Sequence, residues 1–393
     1  MPNKPDPLRA PDFDALKLRA YNLRWATVDD GVIPLTAADP DLAISQEVIE
    51  AIQNYVAIPH LSYGPPLGLP AFRRAVAQHF SHEKNADVAE ERVLATNSAA
   101  NAIALVASHL LRPGDEVVIQ DPVDFLIAES ARRAGATLRL WATDNGRFTL
   151  DGLREAVTER TRMVSVCHPH NPLGTLWSST EVAAIAAFAS ERGIALLSDE
   201  VWSDVLLDHA TITSFARHAD MACAPWVIYG LSKGYGLAGL RIGAVIAPTG
   251  KDAAEFATAQ GFEHTIEGAA TLSQIAATAA LERGEPWRSA FLQRCTSQRD
   301  LAVLRLRALP GIAIQYVPQA TFVLFADVRK TGLDQDQIAD ELLKHAKVRV
   351  VPGNPRWFGP GAAGHIRLSL ATTSEVLDEA LTRIAQAWPV ITG

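Results

Sequence analysis

Apolar runs that stop in polar, proline- or glycine-containing loops constrain this chain more than any other feature. Residues 163–167 lead into His168, Pro169, His170 and Asn171, and residues 194–197 lead into Ser198, Asp199 and Glu200. The run 92–95 precedes a helical pattern over 98–111, and Pro113, Gly114 and Asp115 then turn into a second run at 116–120. An alanine-rich helical pattern over 181–192 closes at Gly193 before the run that reaches Asp199. Strand and helix alternating at this spacing predict an α/β fold, a mostly parallel sheet with helices on both faces. In such a sheet, the loops after the strands converge on one crevice at the carboxyl ends, so their polar residues are the candidates for chemistry.

After about residue 284 the pattern changes. A long helical stretch at 289–309 is followed by short strands at 312–316, 321–325 and 348–351, which predicts a smaller α+β domain. Two domains suit a chain of 393 residues, since single cores stop growing at roughly 250 to 300. The chain is 48% apolar and 20% charged, an ordinary soluble balance. It carries a net charge of −8 and no run of lysine or arginine, which argues against nucleic acid as a partner. No stretch reaches the ~20 apolar residues of a membrane span, and the polar, proline-rich residues 1–7 do not read as a leader. The three cysteines, Cys167, Cys223 and Cys295, are odd in number and widely spaced. They predict neither a disulfide framework nor a metal site, and they suit a reducing cytoplasm. Cys167 reads as a core residue.

Lys233 stands in a turn with Gly230, Gly234, Gly236, Gly239 and Gly243, and Arg241 follows it by eight residues. An amine in such a turn, kept uncharged by burial or a neighbouring cation, forms imines, and an arginine nearby suits an anion. Together with Asn171 and Asp199 these are the residue types that pyridoxal 5'-phosphate requires. The order and spacing of Asn171, Asp199, Lys233, Arg241 and Arg367 make the chain, from about residue 33 onward, resemble the fold-type I pyridoxal-phosphate enzymes of the class I/II aminotransferase superfamily.

That resemblance implies a large cofactor-binding domain at 46–284 and a smaller one formed by 1–45 with 285–393. It implies Lys233 as Schiff-base lysine and proton acceptor, Asp199 against the pyridine nitrogen, and Asn171 at the pyridine 3-oxygen. Arg367 would clamp the substrate carboxylate, beside a loop at 35–41 that contains Ala38. Arg241 would hold phosphate with the helix-start amides of Ala99 and Ala100; Ser98 either joins them or caps that helix. Tyr63 matches a tyrosine that reaches the phosphate of a neighbouring subunit, which implies a homodimer with shared sites. Three departures stand out. Trp202 occupies the position of a tyrosine, Gly230 that of a phosphate-binding serine, leaving Ser232 to compensate, and Asp124 that of a stacking aromatic, leaving Phe125 as the candidate. His168 and His170 read as structural. The function implied is an amino-acid aminotransferase whose partners are a small-molecule amino acid and keto acid. A carbon-sulfur β-lyase is the alternative, favoured by the spelling of 169–174 and by Arg24 and Trp25, and a binding protein that keeps the fold is a third reading.

Overall fold

The computed structural model describes residues 7–144 and 146–393; the residues on which the leader expectation rests lie, apart from Pro7, outside the described ones. The strands in chain order are β1 (Ile33–Pro34), β2 (Val93–Thr96), β3 (Glu116–Asp121), β4 (Thr137–Ala142), β5 (Thr161–Cys167) and β6 (Ala195–Asp199). They continue as β7 (Trp226–Gly230), β8 (Gly243–Ile246), β9 (Val323–Asp327), β10 (Val348–Arg349), β11 (Val351–Pro352) and β12 (His365–Ser369). A central sheet runs in the order β2-β8-β7-β6-β5-β3-β4. Its pairs are parallel from β4 through β3, β5 and β6 to β7, and β8 alone is antiparallel to its neighbours.

Successive residues of these strands point to opposite faces, and the two faces carry separate cores. Val118, Val164, Val166, Leu196 and Val227 face one core, with Val182 and Ile185 of the helix Ser179–Glu191. Val117, Ile119, Met163, Leu197 and Ile228 face the other, with Ala102 and Ile103 of the helix Ala99–Leu110. Strands covered on both sides read as nearly continuous apolar runs, which is why they are legible in the sequence. Each such Val, Leu or Ile contributes about 1.5–3 kcal/mol by leaving water. The helix Ser179–Glu191 starts at a capping box between Ser178 and Glu181, which satisfies backbone donors at its first turn.

A three-stranded antiparallel sheet, β11-β12-β9, and the helix Ser374–Thr392 enclose a third core that includes Leu324, Ile366, Leu368, Leu377 and Trp388. β1 pairs in parallel with β10, and Ile33 and Leu35 join that same core. Here the structure departs from the predicted elements. No strand forms at 312–316, where Ala313 only bridges to Asp327. The strand expected at 321–325 begins at Val323, because Thr321 lies in the left-handed region (φ 72°), which no strand residue adopts. The 348–351 run divides, since β10 pairs with β1 while β11 pairs with β12. The long helix starts at Glu285, earlier than expected, with Pro286 in its first turn where a missing N–H does no harm.

One buried carboxylate joins three of these elements. Asp204 accepts from Lys84 Nζ at 2.5 Å and from the Tyr229 hydroxyl of β7 at 2.5 Å. It also lies 2.6 Å from His79 of the helix Pro70–Glu83 and 3.7 Å from Arg288 of the helix Glu285–Arg307. Burial opposes its ionisation, but Lys84 and His79 outweigh burial and hold its carboxyl well below the usual range. Its contribution is therefore present above the ordinary carboxylate pKa and is lost as pH falls through the depressed value. Asp204→Ala should destabilise the fold by about 3–5 kcal/mol, because Lys84 is left buried without its partner. Removing Arg154, whose pairing with Asp151 is exposed, should change stability by less than about 1 kcal/mol. Urea denaturation of both variants checks this, and similar midpoint shifts would contradict the role given to Asp204.

Candidate active site

Five loops leave the carboxyl ends of the central strands and meet. β2 leads to Ser98, β3 to Asp124, β5 to Asn171, β6 ends on Asp199, and β7 leads to Lys233. Because β3, β5, β6 and β7 are parallel, these side chains emerge on one edge of the sheet.

Lys233 is largely buried, and its amine donates to the Ala38 carbonyl at 2.6 Å. Burial pulls its pKa below the ordinary lysine value, although the carboxylates of Asp39 and Asp124 oppose this. The Trp202 ring lies 5.4 Å from the amine and is itself fixed edge-on against Phe322 at 4.8 Å. Trp202 is thus an apolar wall behind the lysine. The turn is held from below: a side chain at Gly234 would meet the Asp204 Cβ at 2.4 Å, so only glycine lets the residue after Lys233 sit on the buried charge cluster.

Asp199 accepts from the Val201 amide at 3.1 Å, and burial raises its carboxyl to about 7. A buried acid this reluctant to ionise is suited to a cationic donor, which would restore its charged form. Glu200 is raised to about 7 by burial as well, but it points into the core and accepts from the Phe215 amide. Asn171 is buried, and its Nδ2 donates to Asp124 at 3.0 Å while its Oδ1 accepts from Arg367 Nη1 at 3.2 Å. Arg367 Nη2 donates to the Thr36 carbonyl at 3.1 Å, the Phe358 ring lies 4.9 Å from the guanidinium, and Nε is buried without a partner. Burial lowers Arg367 to about 10. A buried guanidinium held by two neutral oxygens, with a donor left over, is prepared for an anion.

An anion cup forms where β2 meets its helix. Ser98 has a left-handed backbone (φ 81°), and its hydroxyl both caps the helix through the Asn101 amide and accepts from Arg241 Nη2 at 2.8 Å. Capping and pairing with Arg241 are therefore combined in one residue. Ala99 and Ala100 precede the first bonded amide of that turn and contribute the positive end of a 12-residue helix. A side chain at Gly230 would come within 2.9 Å of Val201 and 3.1 Å of Ala99, which explains the absence of serine there. Ser232 is partly buried beside Lys233.

Phe125 is not brought into this group. It is the first residue of the helix Phe125–Arg133, is 39% exposed, and meets Trp357 at 5.7 Å. Asp124, one residue earlier and capping the same helix, is the side chain that faces Asn171. Asp124 is the N-cap, with a non-helical backbone (ψ 134°), and Phe125 is the first helical residue, so the two side chains leave the turn in different directions. Tyr63 takes no part in these contacts and is 92% exposed. His168 and His170 are buried against Trp177 and Phe148, and burial lowers them to about 4 and about 3, as suits neutral core imidazoles. Asp39 was legible only as part of the loop at 35–41; burial raises its carboxyl, with Lys233 among the charges opposing that rise.

Lysine amine, acid at the end of β6, and cup of guanidinium, hydroxyl and helix amides fit an aldehyde, a ring nitrogen and a phosphate respectively. That is the donor set of pyridoxal phosphate. The raised Asp199 has a consequence for the cofactor-free protein. The folded state holds this proton up to about pH 7 while the unfolded chain releases it near pH 4, so the group's contribution falls as pH rises between the two. Asp199→Asn should therefore raise the melting temperature of cofactor-free protein more at about pH 8 than at about pH 4. Equal shifts at both pH values, by calorimetry, would count against this burial penalty.

Residues 30–384 match the family described as aminotransferase class I and II. The aspartate aminotransferase of Pyrococcus horikoshii is 30% identical over 379 residues, 94% of each chain. The arginine–pyruvate transaminase of Pseudomonas aeruginosa is 30% identical over 372 residues, 92% of this chain and 91% of that one. The crystal structure of an aromatic aminotransferase from Pyrococcus horikoshii superposes with a TM-score of 0.84 at 28% identity, over 93% of this chain and 97% of the other. The chain belongs to the class I and II aminotransferases and is an amino-acid aminotransferase that works with pyridoxal phosphate.

Proposed function

We propose that the crevice at the ends of β2, β3, β5, β6 and β7 performs this transfer with Lys233 as proton acceptor and Arg367 as the carboxylate clamp. The observation that carries the reading is the pairing of a buried amine bonded to a carbonyl with a buried guanidinium whose Nε has no partner. Bound pyridoxal phosphate supplies the carbonyl that takes the amino group and the ring that accepts the electron pair left by the α-proton. Ser98, Ala99, Ala100, Arg241 and Ser232 would hold its phosphate. Asp199 would keep the proton on its ring nitrogen, and Asn171 would reach its 3-oxygen with the hydrogen not given to Asp124. Trp202 closes the site behind Lys233, so water is kept from the amine.

Arg367 holds the α-carboxylate while the loop of Thr36 and Ala38 covers the other side. Lys233, whose pKa burial lowers from the ordinary lysine value, would remove the α-proton and return a proton to complete the transfer. These groups address only what all amino acids share, the α-amine and the α-carboxylate. The relatives named above are aminotransferases, so β-elimination is the less supported outcome.

The proposed organisation is a large domain at 46–284 and a smaller one from 1–45 with 285–393, supported by the pairing of β1 with β10. A homodimer is supported by residues 56–63, which expose Val56, Ile58, Leu61 and Tyr63. Tyr63 would then reach the phosphate of the other protomer. A cytoplasmic setting agrees with three free cysteines. Among the described residues, no helix is long and apolar enough to cross a membrane.

With pyridoxal phosphate, an amino-acid panel and a keto acid, the protein should form the exchanged keto acid without releasing ammonia and pyruvate. Lys233→Ala should abolish turnover, and Arg367→Ala should raise KM about 10- to 100-fold with a smaller change in kcat. Pyruvate and ammonia as the main products would replace transfer by elimination. For the shared site, an inactive Lys233→Ala protomer mixed with a Tyr63→Phe protomer should regain one complete site per heterodimer. A heterodimer no more active than the Tyr63→Phe protein would return Tyr63 to a local role.

A further inference from the structure

The turn after β3 brings a carboxylate, and no aromatic ring, to Asn171. An amide has a donor end and an acceptor end. Arg367 can only donate, so it must face Oδ1 of Asn171, and an ionised Asp124 can only accept, so it must face Nδ2. The orientation of this buried amide is thus dictated by the two charged residues on either side of it. Asp124 is itself locked, because its other oxygen accepts from the Leu126 amide at the start of the helix Phe125–Arg133. Arg367 in turn has two acceptors that set its plane, Asn171 Oδ1 and the Thr36 carbonyl.

We propose that Asp124 is a positioning residue for the substrate carboxylate: it holds the Asn171 amide with its oxygen toward Arg367 and thereby aims the guanidinium. This rests on the reading of Arg367 as the clamp. Without Asp124 the Nδ2 side of the amide loses its anchor and Arg367 alone orients it, so the acceptor that sets the guanidinium's plane is no longer held in place. Asp124 also supplies the negative charge that opposes the effect of burial on Arg367.

The test uses the holoenzyme. Asp124→Ser keeps a helix-capping oxygen but is too short to reach Asn171, whereas Asp124→Asn keeps both the cap and an acceptor. Asp124→Ser should raise KM for amino acid and keto acid about 10-fold relative to Asp124→Asn, with kcat the same in the two variants. For the primary amine that lacks the α-carboxylate, Asp124→Ser and Asp124→Asn, which remove the same charge from beside Lys233, should have the same kcat/KM. Asp124→Asn should restore KM to within about 3-fold of the unaltered protein. Propanoate binding, followed by its change in the visible absorbance of the holoenzyme, should weaken by the same factor in Asp124→Ser. Unchanged propanoate binding in that variant, an equal loss for the amine relative to Asp124→Asn, or no rescue by Asp124→Asn would overturn the proposal. Propanoate binding weakened as expected in a protein that transfers no amino group would overturn the functional reading while leaving Asp124's role standing.

Discussion

The buried carboxylate of Asp204 is the interaction on which the site's geometry rests. It gathers His79 and Lys84 from one helix and its C-cap, Tyr229 from β7 and Arg288 from a second helix, and fills the space that Gly234 leaves open. Burying so many charges is unfavourable unless each is paired, and this requirement allows few arrangements of the surrounding elements. Helix Pro70–Glu83, strand β7 and helix Glu285–Arg307 are thereby held against one point, and the Lys233 turn lies directly on it. The position of the reactive amine follows from a charge cluster that never touches substrate.

Above that point the charges are arranged differently. Lys233 faces carboxylates without a direct ion pair among the described residues, and Arg367 is held by neutral oxygens. Asp199 is raised to about 7. Each of these groups is left short of the partner that would satisfy it, in contrast to Asp204. Structural charges in this protein are paired within the fold, and the site's charges await groups from outside it.

The central sheet was legible because its strands are covered on both faces and so read as apolar runs, and because their ends carry the polar loops. The peripheral strands were not. β10 and β11 lie in one valine-rich stretch, interrupted only by Arg349, but pair with different sheets, a matter of which backbone lies nearby. Strand 312–316 failed for the same reason, as only Ala313 finds a partner in Asp327. At the site, Lys233, Asp199 and Asn171 could be chosen by residue type and by their places after apolar runs, and Arg241 and Arg367 by the resemblance that their spacing carries. Whether Asp124 or Phe125 turns inward could not, because a one-residue difference at a helix start is decided by the cap geometry.

The sequence by itself determined the alternation of strand and helix, the polar loops at the strand ends and the residue types available there. These are local properties, set by burial periodicity and by the chemistry of single side chains. Tertiary structure alone decided which of those residues meet. Asn171 and Arg367 are 196 positions apart, and Asp204 and Lys84 are 120 apart. Hydrogen bonds and buried ion pairs act over about 3 Å, so no pattern along the chain records them until the fold has brought their partners together.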